Sequence, residues 1–366
     1  MAAEITKRTL VGWRSVKTNV KFDSNLLDRL KASVDKVVKH ITKGSYWGNE
    51  VPRMKFDAII GNPPYQSNIS VSDGNAAMSK QVFPAFIEAA ISAQSTYVSL
   101  ITPSRWFTAD AQDKSFIRLR EFLKEHSHFK KLYHYANNKD IFPNVAIAGG
   151  VNYFLYDKTY SGNVTFYECV GNEKKGVERP LFEENLDIVL SMNEFVSILN
   201  KVRNSKDFLP MSTVVEGRNP FGVVSKESVL RKISTSTPFD GAIELRCAHE
   251  EIRYIKRESV KKNAQLIDKW KVFTSKGNGG AGVLNAEKPV SIMGRPYIGK
   301  PGSICSESLI PVGSFETENE ALNLQKYMST KFFRFMVGIL KVSQNIYQNV
   351  YQFVPMFDFT VDSCIM

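Results

Sequence analysis

Apolar residues along this chain follow two rhythms, and their alternation predicts a layered α/β fold. Leu26, Leu27, Leu30, Val34, Val37 and Val38 recur at helical spacing. Asp23 or Ser24 is placed to cap that helix. Residues 55–61 (Lys-Phe-Asp-Ala-Ile-Ile-Gly) form a short apolar run of strand type, followed by a polar loop over 66–79. Residues 80–94 return to helical spacing, with Pro84 in the first turn, where a missing N–H is tolerated. Residues 96–102 alternate as a strand. Residues 113–125 read as a helix with Phe116, Leu119, Phe122 and Leu123 inward, and residues 131–135 and 150–156 read as strands. Strand, helix, strand, helix, strand, strand is the order of half a doubly wound sheet closed by a hairpin.

The pattern then changes. Residues 166–175 lead into a linker ending near Pro180, and residues 193–203 form a short helix. From about 205 the chain is rich in strands and turns, punctuated by Gly217, Pro220, Gly222, Pro238, Gly241, Gly294, Pro296, Gly299, Pro301 and Gly302. Residues 318–340 are again mostly helical. The expected organisation is a basic helical segment over 1–50, a partial catalytic domain over 51–175, a helical linker over 176–204 and a separate recognition domain over 205–366.

One turn carries most of the chemistry. The strand at 55–61 runs directly into Asn62-Pro63-Pro64-Tyr65. Consecutive prolines fix φ and remove donors, and the residue before a proline is held extended. Asn62 therefore sits at a strand end with the polar groups facing outward, the end at which open α/β sheets bind ligands. An aromatic amine is a poor nucleophile because its lone pair is delocalised into the ring. Two acceptors, the Asn62 amide oxygen and the Pro63 carbonyl, would draw such a nitrogen toward tetrahedral geometry and free that pair for methyl transfer. Tyr65 can stack on a base that has left its duplex. The work is positioning and electrostatics, with no tuned base and no metal.

These residues resemble the Asn-Pro-Pro-Tyr class of N6-adenine DNA methyltransferases, and the longer pattern resembles the Eco57I-type restriction-modification methylases. Tyr97-Val-Ser-Leu-Ile-Thr-Pro-Ser-Arg-Trp106-Phe107 looks like that family's next strand. Asp140-Ile-Phe-Pro143 with Ala148 to Asp157 looks like its closing hairpin. Ser303 to Glu307 and Lys331 to Phe335 are similar to its C-terminal part. The resemblance implies the second half of a class I S-adenosylmethionine-dependent methyltransferase sheet plus a mixed α+β target-recognition domain. It also implies S-adenosyl-L-methionine as cofactor, double-stranded DNA as partner, and Asn62, Pro63, Pro64 and Tyr65 as the catalytic residues.

The same resemblance exposes a departure. The family places a Gly-rich cofactor turn, and an acidic residue that holds the ribose, upstream of Asn-Pro-Pro-Tyr. The first 55 residues contain no such turn. Gly277-Asn-Gly-Gly-Ala-Gly282 is glycine-rich but lies far downstream, with no helical pattern after it, and reads as a DNA-facing loop. Three explanations stand side by side: half of a split enzyme whose partner supplies the cofactor half, a truncated remnant, or a DNA- or protein-binding module on a degenerate methyltransferase scaffold. An open strand edge and an uncovered apolar face are expected to invite a complementary subunit, self-association, or an N-terminal helix folded over that face.

Charge supports a nucleic-acid partner. The chain of 366 residues has a formal net charge of +11. Residues 201–300 hold 19 Lys and Arg against 10 Asp and Glu, and residues 1–50 hold 10 against 5. A domain-sized excess beside a base-handling motif reads as a phosphate-binding surface. The candidate DNA contacts are Arg105, which follows a strand at the same sheet edge as Asn62, and Arg218, Lys226, Lys276, Arg295 and Lys300 in turn-rich sequence. Arg253, Lys256, Arg257, Lys261 and Lys262 form a basic run expected on a helix. Ser343-Gln344-Asn345 and Gln348-Asn349 carry amides suited to adenine edges but read first as a helix terminus. Cys169, Cys247, Cys305 and Cys364 are too scattered for a zinc site or a disulfide framework, and the five histidines make no metal pattern. Asp240 with Glu244 and Arg246 only faintly echoes a nuclease. No signal peptide or membrane-length apolar run is present, so the expected location is cytoplasmic.

Overall fold

The computed structural model describes residues 23, 25–48, 50–68, 79–109, 111, 113–145, 147–277, 291–341 and 345–361. Two compact units emerge: residues 1–135 with 151–189, and residues 136–150 with 190–366.

The first unit is built on a six-stranded sheet. Its strands are β1 (Ala58–Gly61), β4 (Tyr97–Pro103), β5 (Phe129–Tyr135), β6 (Val151–Asp157), β7 (Val164–Val170) and β8 (Glu173–Arg179), in the order β1-β4-β6-β5-β7-β8. β1 runs parallel to β4, with Gly61 opposite Leu100, and β6 runs antiparallel to both β4 and β5. This is the half-sheet with a hairpin closure that the sequence predicts. Between β1 and β4 lie β2 (Gln66–Asn68) and β3 (Ser79–Gln81), a small antiparallel ladder. The loop expected over 66–79 is therefore a ribbon at its two ends, and residues 69–78 lie outside the described residues.

Helices cover one face of the sheet. α1 (Leu26–Ala32) and α2 (Val34–Ile41) precede β1, α3 (Phe83–Ser92) follows β3, and α4 (Ser115–Glu125) follows β4. The single helix expected over 26–38 is broken at Ser33, whose backbone is extended and whose hydroxyl accepts from Lys36 N to cap α2. Asp23 accepts from Asn25 N rather than capping directly, and Ser24 lies outside the described residues. Val98 and Leu100 of β4, Leu132 of β5, Phe154 and Tyr156 of β6, and Phe166 of β7 pack with Phe83, Ile87, Phe116 and Leu119 in one core. On the opposite face, half-buried Tyr133 lies between Tyr153 and Tyr167, with ring centroids 4.6 and 4.4 Å away. Gly176 makes room for that row, since a Cβ there would lie 2.6 Å from the Tyr167 ring.

The stretch expected to lead from residues 166–175 into a linker ending near Pro180 is strand up to Arg179. Residues 164–179 form the hairpin β7–β8, in full register from Val164–Arg179 to Val170–Glu173. β8 is exposed along most of its length, so no apolar alternation marks it.

The second unit contains two further sheets. β9 (Ser234–Thr235), β10 (Ala242–Arg246), β11 (Ile252–Lys256) and β14 (Ser303–Cys305) form one, and β12 (Trp270–Ser275), β13 (Tyr297–Gly299) and β15 (Leu309–Phe315) form the other. Helices α5 (Asn193–Arg203), α6 (Glu227–Ile233), α7 (Glu318–Met328) and α8 (Lys331–Leu340) complete the unit. The basic run at 253–262 begins on strand β11 rather than on a helix, because Ile255 must reach the core beside Leu245 and Ile304. Lys271 is fully buried, and its ammonium donates to the Lys269 and Leu266 carbonyls at 2.6 and 2.8 Å. Burial lowers its pKa to about 8.

Candidate active site

The prolines anchor the strand-end turn and the asparagine is presented. Pro63 is buried, Asn62 and Pro64 are exposed, and Tyr65 is half-buried. Downstream, the chain is tied back where Val82 N donates to the Tyr65 carbonyl at 3.1 Å. The Tyr65 ring meets Phe83 edge-on, with centroids 6.5 Å apart, and Phe83 meets Phe116 at 5.6 Å. An aromatic chain thus joins the turn to the helical core. The Tyr65 hydroxyl is buried with no hydrogen-bond partner among the described residues, and burial raises its pKa.

Among the described residues β1 is the outermost strand of its sheet. Its only ladder among them is with β4, and Ile60, on the face away from the helices, is 78% exposed. Asn62 therefore stands at the C-terminal end of an edge strand, beside the C-terminal end of β4.

β4 leads into a 3-10 turn, Ser104–Phe107. Trp106 and Phe107 are core residues, and Trp106 is excluded from contact with a nucleotide. Arg105 is half-buried, its Nε is buried without a partner among the described residues, and burial lowers its pKa. From α4, buried Arg120 donates to the Trp106 and Ala109 carbonyls at 2.9 and 2.8 Å. Beneath the turn lies a polar group that sequence reading did not single out. His134 Nδ1 is 2.9 Å from Ser104 Oγ, and Asn152 Nδ2 donates to Ser104 Oγ at 3.3 Å and to the Thr102 carbonyl at 3.1 Å.

Burial drives the pKa of His134 down to about 4, with the Arg179 charge acting in the same direction and a bond to the Val151 backbone opposing it. Between pH 6.5 and 4 the unfolded chain takes up a proton that the folded chain refuses. This contribution to stability is complete above pH 6.5 and is lost as pH falls toward 4. Urea unfolding is expected to show a loss of about 2 kcal/mol from this group between pH 7 and pH 5. A His134→Gln variant should lack that component, and equal pH dependence in parent and variant would remove the assignment.

The remaining candidate DNA contacts belong to the second unit. Arg218, Lys226, Arg295 and Lys300 are exposed there. Lys276 is half-buried, held by backbone bonds to Ser308 and Ile346. Residues 278–282 of the glycine loop, and Ser343 and Gln344, lie outside the described residues. The Gln348 amide donates to the Ser212 carbonyl at 2.9 Å and serves the fold. Arg246 is paired with Glu244. Among the described residues no group of three His, Cys, Asp or Glu could hold a metal, and no helix is long and apolar enough to cross a membrane.

A parallel edge strand ending in Asn-Pro-Pro-Tyr, within the order β1-β4-β6-β5, defines an α/β domain. Residues 1–142 match the model of the Eco57I restriction-modification methylase family. A curated relative from Mycoplasma pneumoniae, described as an uncharacterized adenine-specific methylase, is 36% identical over 157 residues, which is 43% of this chain and 34% of the relative. The chain thus spans about a third of that relative's length. Among solved structures, the type IIL restriction-modification enzyme MmeI in complex with DNA aligns over 95% of this chain and 51% of its own, at 10% identity and TM-score 0.48. The type ISP enzyme LlaGI, a nuclease-deletion mutant with a DNA substrate mimic, aligns over 88% of this chain and 41% of its own, at 11% identity and TM-score 0.43.

The donor implied for such a family is S-adenosyl-L-methionine. The residues described before β1 build α1, α2 and the 3-10 turn Gly44–Trp47, with no strand and no Gly-rich strand-to-helix turn among them. They do not fit the adenosine and carboxylate of that group.

Proposed function

We propose that this chain carries the amine-gripping and DNA-reading parts of a restriction-modification DNA adenine-N6 methyltransferase. The observation that carries the reading is Asn62, exposed at the end of a parallel edge strand and fixed by buried Pro63. The match of residues 1–142 to the methylase family supports it. Asn62 Oδ1 and the Pro63 carbonyl accept from the exocyclic amine of an extruded adenine. Pro64 locks the turn, and the Tyr65 ring stacks on the base. Arg105 meets the extruded nucleotide or its phosphate. The region 205–366 reads the duplex, with Arg218, Lys226, Lys276, Arg295 and Lys300 on phosphates. The S-adenosyl-L-methionine site is supplied by residues beyond those described, through a complementary unit that joins the edge of β1 on which no ladder is formed among the described residues.

The misfit of the cofactor also favours a second reading, a DNA- or protein-binding module that has lost methyl transfer. Methylated adenine in DNA treated with the active assembly separates the two.

Duplex binding tests the DNA-reading assignment. Affinity of the intact chain should fall steeply with salt, because each neutralised phosphate releases counterions. Charge reversal at Arg218 or Lys300, both exposed, should weaken binding and flatten the salt slope by about one each. Salt-insensitive binding, or none, would move the assignment of 205–366 to protein contact.

A further inference from the structure

The polar group under the Ser104–Phe107 turn is built where the surrounding core has no need of polarity. β4, β5 and β6 present alternate residues to the helix-covered face: Val98 and Leu100, Leu132, Phe154 and Tyr156. Continuing each alternation to the strand ends that adjoin the turn gives Thr102, His134 and Asn152, which are 0, 4 and 0% exposed. The ladders place Asn152 opposite both Thr102 and His134. The polar side chains thus converge from three strands on one point, and that point is Ser104.

Their bonds are mutually consistent. Ser104 Oγ and His134 Nδ1 lie 2.9 Å apart and share one hydrogen bond. Ser104 Oγ in turn accepts from Asn152 Nδ2 at 3.3 Å, and Thr102 Oγ1 donates to Asn152 Oδ1 at 3.4 Å. A serine on a histidine nitrogen is also the geometry of an activated nucleophile. Ser104 is only 2% exposed, so no substrate reaches it and that role is excluded.

The turn is held from both sides. The polar group fixes Ser104, and Arg120 fixes the carbonyls of Trp106 and Ala109. Within Ser104–Phe107 only Arg105 is not buried. The direction in which Arg105 leaves the turn is therefore set by its neighbours.

We propose that Thr102, His134 and Asn152 are positioning residues, which hold Ser104 and thereby aim Arg105 at the strand ends where Asn62 is presented. The inference rests on the assignment of Arg105 to contact with DNA.

The test is a double-mutant cycle on the full chain. The probe is a duplex carrying one unpaired adenine, which costs little to extrude and needs no knowledge of the target sequence. Arg105→Ala should lower the salt slope of binding by about one. His134→Leu should lose the same amount, His134→Gln should restore it, and Arg105→Ala/His134→Leu should lose no more than either single variant. Amide exchange in the segment 104–109 should rise in His134→Leu and not in His134→Gln. Should His134→Leu fail to fold, Ser104→Ala takes its place, with the same expected loss. If Arg105→Ala leaves the slope unchanged, the assignment of Arg105 falls and the inference with it. If Arg105→Ala lowers the slope but a folded His134→Leu or Ser104→Ala does not, the positioning role alone is wrong.

Discussion

Asn62→Ala is expected to reduce methyl transfer to adenine by at least about 100-fold, the scale seen when one preorganised polar partner of a reacting group is removed. The reason is local. Asn62 is exposed at the end of β1, while Pro63 behind it is buried and holds the turn. Truncating the amide removes one of two acceptors without disturbing the anchor. The lost interaction strengthens only as the amine becomes tetrahedral, so it affects turnover and leaves the ground state nearly untouched. Duplex affinity should therefore stay close to that of the parent. The measurement is N6-methyladenine formed per unit time by the active assembly, alongside anisotropy of labelled duplex. Turnover equal to the parent would remove Asn62 from the chemistry. A parallel loss of DNA affinity would make it a binding residue instead.

The parts of this site that could be read from sequence share a physical cause. Pro63 and Pro64 fix backbone angles through their own rings, so the turn is legible without knowledge of its surroundings. α3 and β4 were equally legible, because each buries one face and shows the matching period. β8 was missed for the opposite reason. Glu173-Lys-Lys-Gly-Val-Glu-Arg179 is mostly exposed and charged, and the hairpin register with β7 alone makes it a strand. β11 was read as helix because Arg253, Lys256 and Arg257 mask a short alternation centred on Ile255. His134 and Asn152 look unremarkable in isolation. A signal was present, since each continues a period-two series onto the core face. A polar residue there has to find a partner, and a single sequence does not say which strand brings it.

The chain by itself is expected to give no methyl transfer with S-adenosyl-L-methionine and DNA, and to regain it when a unit carrying the Gly-rich strand–turn–helix is supplied. β1 is four residues long, carries Asn62 at its end, and has a ladder on one side only among the described residues. A parallel strand laid along the free side would extend the sheet and set its own following turn beside Asn62, where a donor has to lie. Ile60 reports on this directly. It is 78% exposed, so Ile60→Lys should change the stability of the lone chain by no more than about 0.5 kcal/mol. Where the joined unit also lays a helix on that face, the same side chain would be covered, and a charge there would be strongly unfavourable. Ile60→Lys should therefore leave unfolding of the isolated chain unchanged while preventing assembly and, with it, methyl transfer. Calorimetry of S-adenosyl-L-methionine with the chain alone and with the supplied unit measures the first half of this expectation; sedimentation of parent and Ile60→Lys mixtures measures the second. Methylation of DNA by the purified chain alone would overturn it, and would mean that residues outside those described complete a donor site on their own.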